Sequence, residues 1–144
     1  MNRRFLLGAL PLLAAAPALA QQLPAIRTVT LSPAPSSTTV TGTLPDTKAR
    51  GLYYVPGQDS QRMNIAVASP GNNVVFQLWE PGTAVRTNAD GNLALDGKPM
   101  HDAGPTDEPA AWVGALARTG PYLLIVYSRR DAASYTITIS VAAQ

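Results

Sequence analysis

Apolar and polar residues alternate along most of this chain with a period of two. IRTVTLS (26–32) alternates until PAPSS interrupts it, and TTVTGTL (38–44) sets Val40 and Leu44 against a row of threonines. RGLYYV (50–55) stops at Pro56-Gly57, and QRMNIAVAS (61–69) places Met63, Ile65 and Val67 on one side. Beyond the turn residues PGNN (70–73) come VVFQLWE (74–80), WVGAL (112–116), PYLLIVYS (121–128) and SYTITISV (134–141). Short runs of this kind, rich in Val, Ile, Thr and Tyr and separated by Pro, Gly, Asn and Asp, are the signature of half-buried strands. No long stretch has the 3.6-residue period of a helix. About eight such strands predict an all-β fold, a single antiparallel β-sandwich of jelly-roll character.

Two runs carry more information. In SYTITISV, Tyr135, Ile137, Ile139 and Val141 are expected to face inward, with Thr136, Thr138 and Ser140 outward. In YLLIVY every position is apolar, which predicts a strand covered on both faces. PYLLIVYS is therefore expected at a sheet centre, with SYTITISV beside it and antiparallel. One segment, 80–111, breaks the rhythm. It is polar and rich in Gly, Pro, Asn and Asp, with one short strand at NLAL (92–95), and connections of this length are usually functional or disordered.

The N-terminus reads differently. Arg3 and Arg4 precede an apolar stretch from Phe5 to Ala16, and Ala18-Leu19-Ala20 has the small-x-small pattern of a cleavage site. Residues 1–20 are expected to be a cleaved signal peptide, with 21–144 forming one periplasmic or secreted domain. No segment reaches the ~18–20 apolar residues that a spanning helix needs. Two of the 11 Lys and Arg residues fall in the leader, so the mature region carries nine basic and nine acidic residues. A neutral domain with scattered charges lacks the electrostatic footprint of a nucleic-acid or anionic-lipid binder. There are no cysteines, so no disulfide holds the domain and no thiol chemistry is open to it.

Catalytic patterns are missing as well. The single histidine, His101, lies in the polar KPMHDAGPTDE, and neither G-x-S-x-G nor H-E-x-x-H occurs. Glutamate is limited to Glu80 and Glu108. The expectation is a protein that is not an enzyme, with no catalytic residue, no cofactor and no metal ligand set. Asn88, Asp90, Asn92, Asp96, Asp102, Asp107 and Glu108 offer oxygen ligands that calcium would accept, yet they lack the D-x-[DN]-x-[DN]-G spacing. The aromatics Trp79, Trp112, Tyr53, Tyr54, Tyr122, Tyr127 and Tyr135 could form a sugar-stacking face or pack in the core. Arg129 and Arg130, with Asp131 as a local partner, could be solvated loop charges or a partner-facing pair.

The order of TVTGTL, RGLYYVPGQDSQRMNIAVAS, VVFQLWEPG and WVGALARTGPYLLIVYSRRDAASYTITISV resembles the bacterial pre-peptidase C-terminal-like β-sandwich group. Within that group it is similar to the periplasmic inhibitors of goose-type (g-type) lysozyme, over most of residues 38–141. The resemblance implies a sandwich without chemistry of its own, whose arginine-containing loop enters a lysozyme cleft. It selects Arg130, Thr119 and Tyr54 (or Tyr53) as partner-binding, with Arg129 adjacent. Ser134 stands where the family carries a second arginine. The implied partner is a protein, a lysozyme; the alternative is a carbohydrate- or protein-binding accessory module on an envelope glycan, assisted by calcium.

Overall fold

A computed structural model describes residues 24–32 and 36–143 of the chain. The expected leader, 1–20, lies outside the described residues. Ten strands form among the described residues: β1 (Ile26–Thr28), β2 (Ser37–Leu44), β3 (Gly51–Gly57), β4 (Gln61–Ala68), β5 (Val74–Trp79), β6 (Ala84–Thr87), β7 (Leu93–Asp96), β8 (Ala111–Ala115), β9 (Gly120–Ser128) and β10 (Ala133–Ala143). One sheet has the order β1-β3-β9-β5 and the other β2-β10-β4-β8, while β6 and β7 pair as a separate hairpin. All pairings are antiparallel except β1 with β3. No helix among the described residues is long and apolar enough to cross a membrane.

Alternation builds the core between the sheets. Tyr53, Val55, Phe76, Leu78, Tyr122, Leu124 and Val126 of the first sheet meet Met63, Ile65, Trp112, Tyr135, Ile137 and Ile139 of the second. The outward set of the first sheet is also apolar: Leu52, Val75, Trp79, Leu123, Ile125 and Tyr127 form a second cluster under Val85, Leu93 and Leu95 of the β6–β7 hairpin. This explains the unbroken apolar run of β9, which is central and buried from Tyr122 to Ser128. The segment 80–111 is thus a structured cover and not a bare loop. Its remainder seals the edge of β5, because Phe76, Leu78 and Glu80 donate their amides to the carbonyls of Pro109, Ala103 and Lys98.

Two expectations need correction. β10 is not beside β9: it pairs with β2 and β4 in the opposite sheet. Residues 129–132 are an arch that carries the chain from one layer to the other, not a hairpin turn. Alternation specifies which face of a strand is buried, and both layers bury their faces in the same core. The first strand is also shorter than IRTVTLS, since only Ile26–Thr28 joins the ladder to β3.

Candidate functional site

Three connections gather at one end of the sandwich: 45–50 between β2 and β3, 69–73 between β4 and β5, and the 129–132 arch. Ser128, 2% exposed at the end of β9, organises the arch. Its hydroxyl is shared between the carbonyls of Arg130 (2.7 Å) and Asp131 (2.8 Å), and its Oγ accepts the Arg130 amide at 3.3 Å. Asp131 takes the left-handed conformation (φ 62°) that tightens the bend. Asn73 braces it from outside: its carbonyl accepts the Arg129 amide at 2.8 Å, and its Oδ1 accepts Nε of Arg130 at 3.2 Å. Arg130 is therefore held by Asn73 and not by Asp131.

Lys48, Arg50, Arg129 and Arg130 collect at this end. Asp46 is occupied by the Lys48 and Ala49 amides, both at 2.9 Å, and Glu108 accepts the Tyr127 hydroxyl. The ion pairs among the described residues lie elsewhere, His101 with Asp102 and Arg118 with Glu80, both at 3.4 Å. Among the described residues none of these four cations pairs with a carboxylate. Arg50 lies over the Tyr127 ring at 4.5 Å and donates through Nη1 to the carbonyls of Thr47 and Ala49. Burial pushes the Tyr127 hydroxyl up to about 12; the hydrogen bond from Gln77 opposes this and Glu108 adds to it.

The other sequence-selected residues are not all gathered here. Ser134 sits nearby, opposite Thr43 in the β2–β10 ladder, in a shallow depression with Ala68 and Pro70. Thr119 lies just beyond the far end of β9, whose nine residues span about 26 Å at ~3.3 Å per step. There its Oγ1 accepts the Asp59 amide at 2.9 Å and steadies the β3–β4 turn. Tyr54 is half-buried in the middle of the first sheet, opposite Leu123. Tyr53 points the other way, into the core, where its hydroxyl meets that of Tyr135.

The remaining aromatics are packed too: Trp79, Trp112, Tyr122, Tyr127 and Tyr135 are all at most 7% exposed. They form no open stacking face among the described residues. The Asn and Asp side chains of 88–108 are dispersed into local turns. Asn88 Oδ1 accepts the Asp90 and Asn92 amides, Asp107 Oδ2 accepts that of Gly104, and among the described residues no three His, Cys, Asp or Glu side chains converge on a metal position. Asn73 and Ser128 were missed from sequence. The PGNN turn signal pointed to the first, but nothing local links a turn asparagine to an arginine 57 residues away. A cleft of about 480 Å³ beside the hairpin is lined by Lys48, Arg50, Gln77, Asp90 and Asn92 over Ile125 and Leu95.

No family model matches the chain, and no curated protein matches its sequence. Among solved structures it is similar to the periplasmic inhibitor of g-type lysozyme from Aeromonas hydrophila, with a TM-score of 0.56 at 18% identity, over 81% of this chain and 95% of that one. The corresponding inhibitor from Salmonella Typhimurium matches with a TM-score of 0.55 at 14% identity, over 83% of this chain and 99% of that one. A mutant of the Escherichia coli inhibitor matches with a TM-score of 0.53 at 13% identity, over 81% and 96%. At these identities the likeness is one of fold, and it extends over nearly the whole of each neighbour. The chain has the β-sandwich fold on which the periplasmic inhibitors of g-type lysozyme are built.

Proposed function

We propose that this chain is an exported, non-catalytic binding protein whose Arg130 end engages a protein partner, and that the partner is a lysozyme of the goose type. The observation that carries this reading is the state of Arg130. It stands on an arch anchored by the buried Ser128, and its Nε is committed to Asn73. Its two terminal nitrogens remain as a preoriented fork suited to a carboxylate. Lys48, Arg50 and Arg129 reinforce the positive field around it, and a lysozyme cleft is lined with carboxylates. Holding a side chain in its binding geometry beforehand lowers the entropy lost on association. The fold shared with known lysozyme inhibitors supports the same reading. So does the chain's opening, which has the pattern of a cleavable export signal.

The test is inhibition of goose-, chicken- and invertebrate-type lysozymes by the purified mature domain. Inhibition of the goose-type enzyme is expected. Arg130→Ala should raise the concentration needed by at least about 30-fold, the equivalent of ~2 kcal/mol for a central arginine anchor. No inhibition at micromolar concentration overturns the proposal. A second reading, an envelope glycan held in the cleft between Arg50 and Asn92, rests on that cleft's mix of amide, carboxylate and cationic groups. It requires that Arg130→Ala leave glycan binding unchanged.

A further inference from the structure

The strand β2 lies at the open side of the sandwich, and its hydrogen-bond phase can be read from its first residues. The Val141 amide donates to the Ser36 carbonyl at 2.8 Å, so 36, 38, 40, 42 and 44 direct their backbone groups toward β10. Ser37 faces the other way, and its carbonyl accepts the Ser32 amide at 3.1 Å. Thr39, Thr41 and Thr43 share that outward phase. Their amides and carbonyls meet no backbone partner among the described residues, and all three residues are exposed.

Natural edge strands are normally blunted by a lysine, a proline, a bulge or a covering segment. STTVTGTL contains no charged residue and no proline, and it runs in unbroken register for eight residues. The β5 edge, by contrast, is sealed by 98–109. The β8 edge is flanked by His101 and Asp102, whose side chains lie 3.4 Å apart.

What flanks the β2 edge is unusual in charge. A groove of about 450 Å³ runs between β2 and the first sheet, and Arg27, Arg50, Thr41, Thr43, Tyr53 and Tyr135 line it. No carboxylate among the described residues lines it. Arg27 donates through Nη2 to the Tyr53 hydroxyl at 2.9 Å and lies 5.1 Å from that ring's centre, whereas the Arg50 guanidinium turns to the outward face of the first sheet, over Tyr127. The Arg27 guanidinium keeps donors to spare. The groove is open because Gly42 and Gly51 carry no side chain, and a Cβ at either would strike the Tyr135 hydroxyl.

We infer that the β2 edge is a docking site for an extended acidic segment of a partner protein, which adds as a fifth strand to the β2-β10-β4-β8 sheet. Its backbone pairs with Thr39, Thr41 and Thr43. Alternate side chains, ~6.8 Å apart along the added strand, turn into the groove, where a carboxylate meets Arg27. A second copy of this chain fits less well. Antiparallel pairing of two β2 edges would bring two Arg27 guanidiniums to one seam without a counter-charge. This site is separate from the Arg130 arch and does not depend on lysozyme inhibition.

The test uses the mature chain and a short fluorescent peptide of alternating valine and glutamate, with glutamine and lysine versions as controls. Anisotropy should show the acidic peptide binding at least about tenfold more tightly than the glutamine version, with the advantage reduced by salt. Amide exchange in the unmutated protein should slow at Thr39, Thr41 and Thr43 when the peptide is added, but not at Val40 and Gly42. Arg27→Gln should abolish the preference for the acidic peptide, whereas Arg130→Ala should leave it intact. The inference is overturned by equal binding of the glutamine and glutamate peptides, or by unchanged exchange at the three threonines. It is equally overturned if those amides are already protected in a homodimer without peptide.

Discussion

Ser128→Ala probes whether the arch is held as described. Alanine nearly matches serine in volume, so the change opens no cavity at this 2%-exposed position and removes only the hydroxyl. The loss is one well-formed O–H···O bond shared between the carbonyls of Arg130 and Asp131, at 2.7 and 2.8 Å, and one long N–H···O bond of 3.3 Å. Arg130 and Asp131 are exposed, so water can satisfy much of what the hydroxyl abandons. That places the cost at about 1–2 kcal/mol, one net hydrogen bond and part of a second. For a domain of this size the melting temperature should fall by about 3–10 °C. Urea unfolding should show the loss as a lower midpoint with an unchanged slope, because the surface exposed on unfolding is the same. Exchange of the Arg130 amide should accelerate. Asn73→Ala should couple to Ser128→Ala by about 0.5 kcal/mol or more in a double-mutant cycle, since both hold the same arch. A loss below about 0.3 kcal/mol with unchanged Arg130 exchange would refute the reasoning, and the arch would then owe its shape to backbone geometry alone.

Two further outcomes follow from the same geometry. The Tyr127 hydroxyl is pushed up to about 12 in the folded chain against an ordinary 10.0, so the folded state favours the neutral phenol. That contribution is complete below about pH 10 and is lost as pH rises from 10 to 12; allowing for solvent near the hydroxyl, it amounts to about 1–2 kcal/mol. Tyr127→Phe should flatten this part of an alkaline unfolding curve, and an unchanged slope would contradict it. Thr119→Val removes the bond to the Asp59 amide and should cost about 0.5–1 kcal/mol in thermal unfolding. It should leave affinity for any partner of the Arg130 end within about twofold, because the length of β9 separates them; a tenfold loss in a binding titration would show that the partner spans both ends.

Much of this protein was legible in its sequence, and the reason is local. Period-two alternation in SYTITISV declared which face of β10 is buried, because neighbouring side chains on a strand must point to opposite sides. The unbroken apolar run of β9 declared burial on both faces, and the Pro, Gly and Asn punctuation located most of the turns. Local pattern could not choose partners. β10 is equally amphipathic beside β9 or across the core from it, and only packing of the two layers decided for the latter. NLAL declared a short strand, but nothing local could pair it with AVRT or place the hairpin as a cover over β9. Site residues divide in the same way. Arg130 stood out by its resemblance to a family pattern, whereas Asn73, which holds it, lies 57 residues away in sequence. Thr119 fitted that pattern as well as Arg130 did, yet β9 places them at opposite ends of the molecule. Arg27 looked like scattered surface charge until β1 placed it beside the free edge of β2. The sequence settled which surfaces must leave water, because that depends on each residue and its near neighbours. Which charges and backbone edges end up side by side depends on how strands from distant segments pack, and only the tertiary structure determined that.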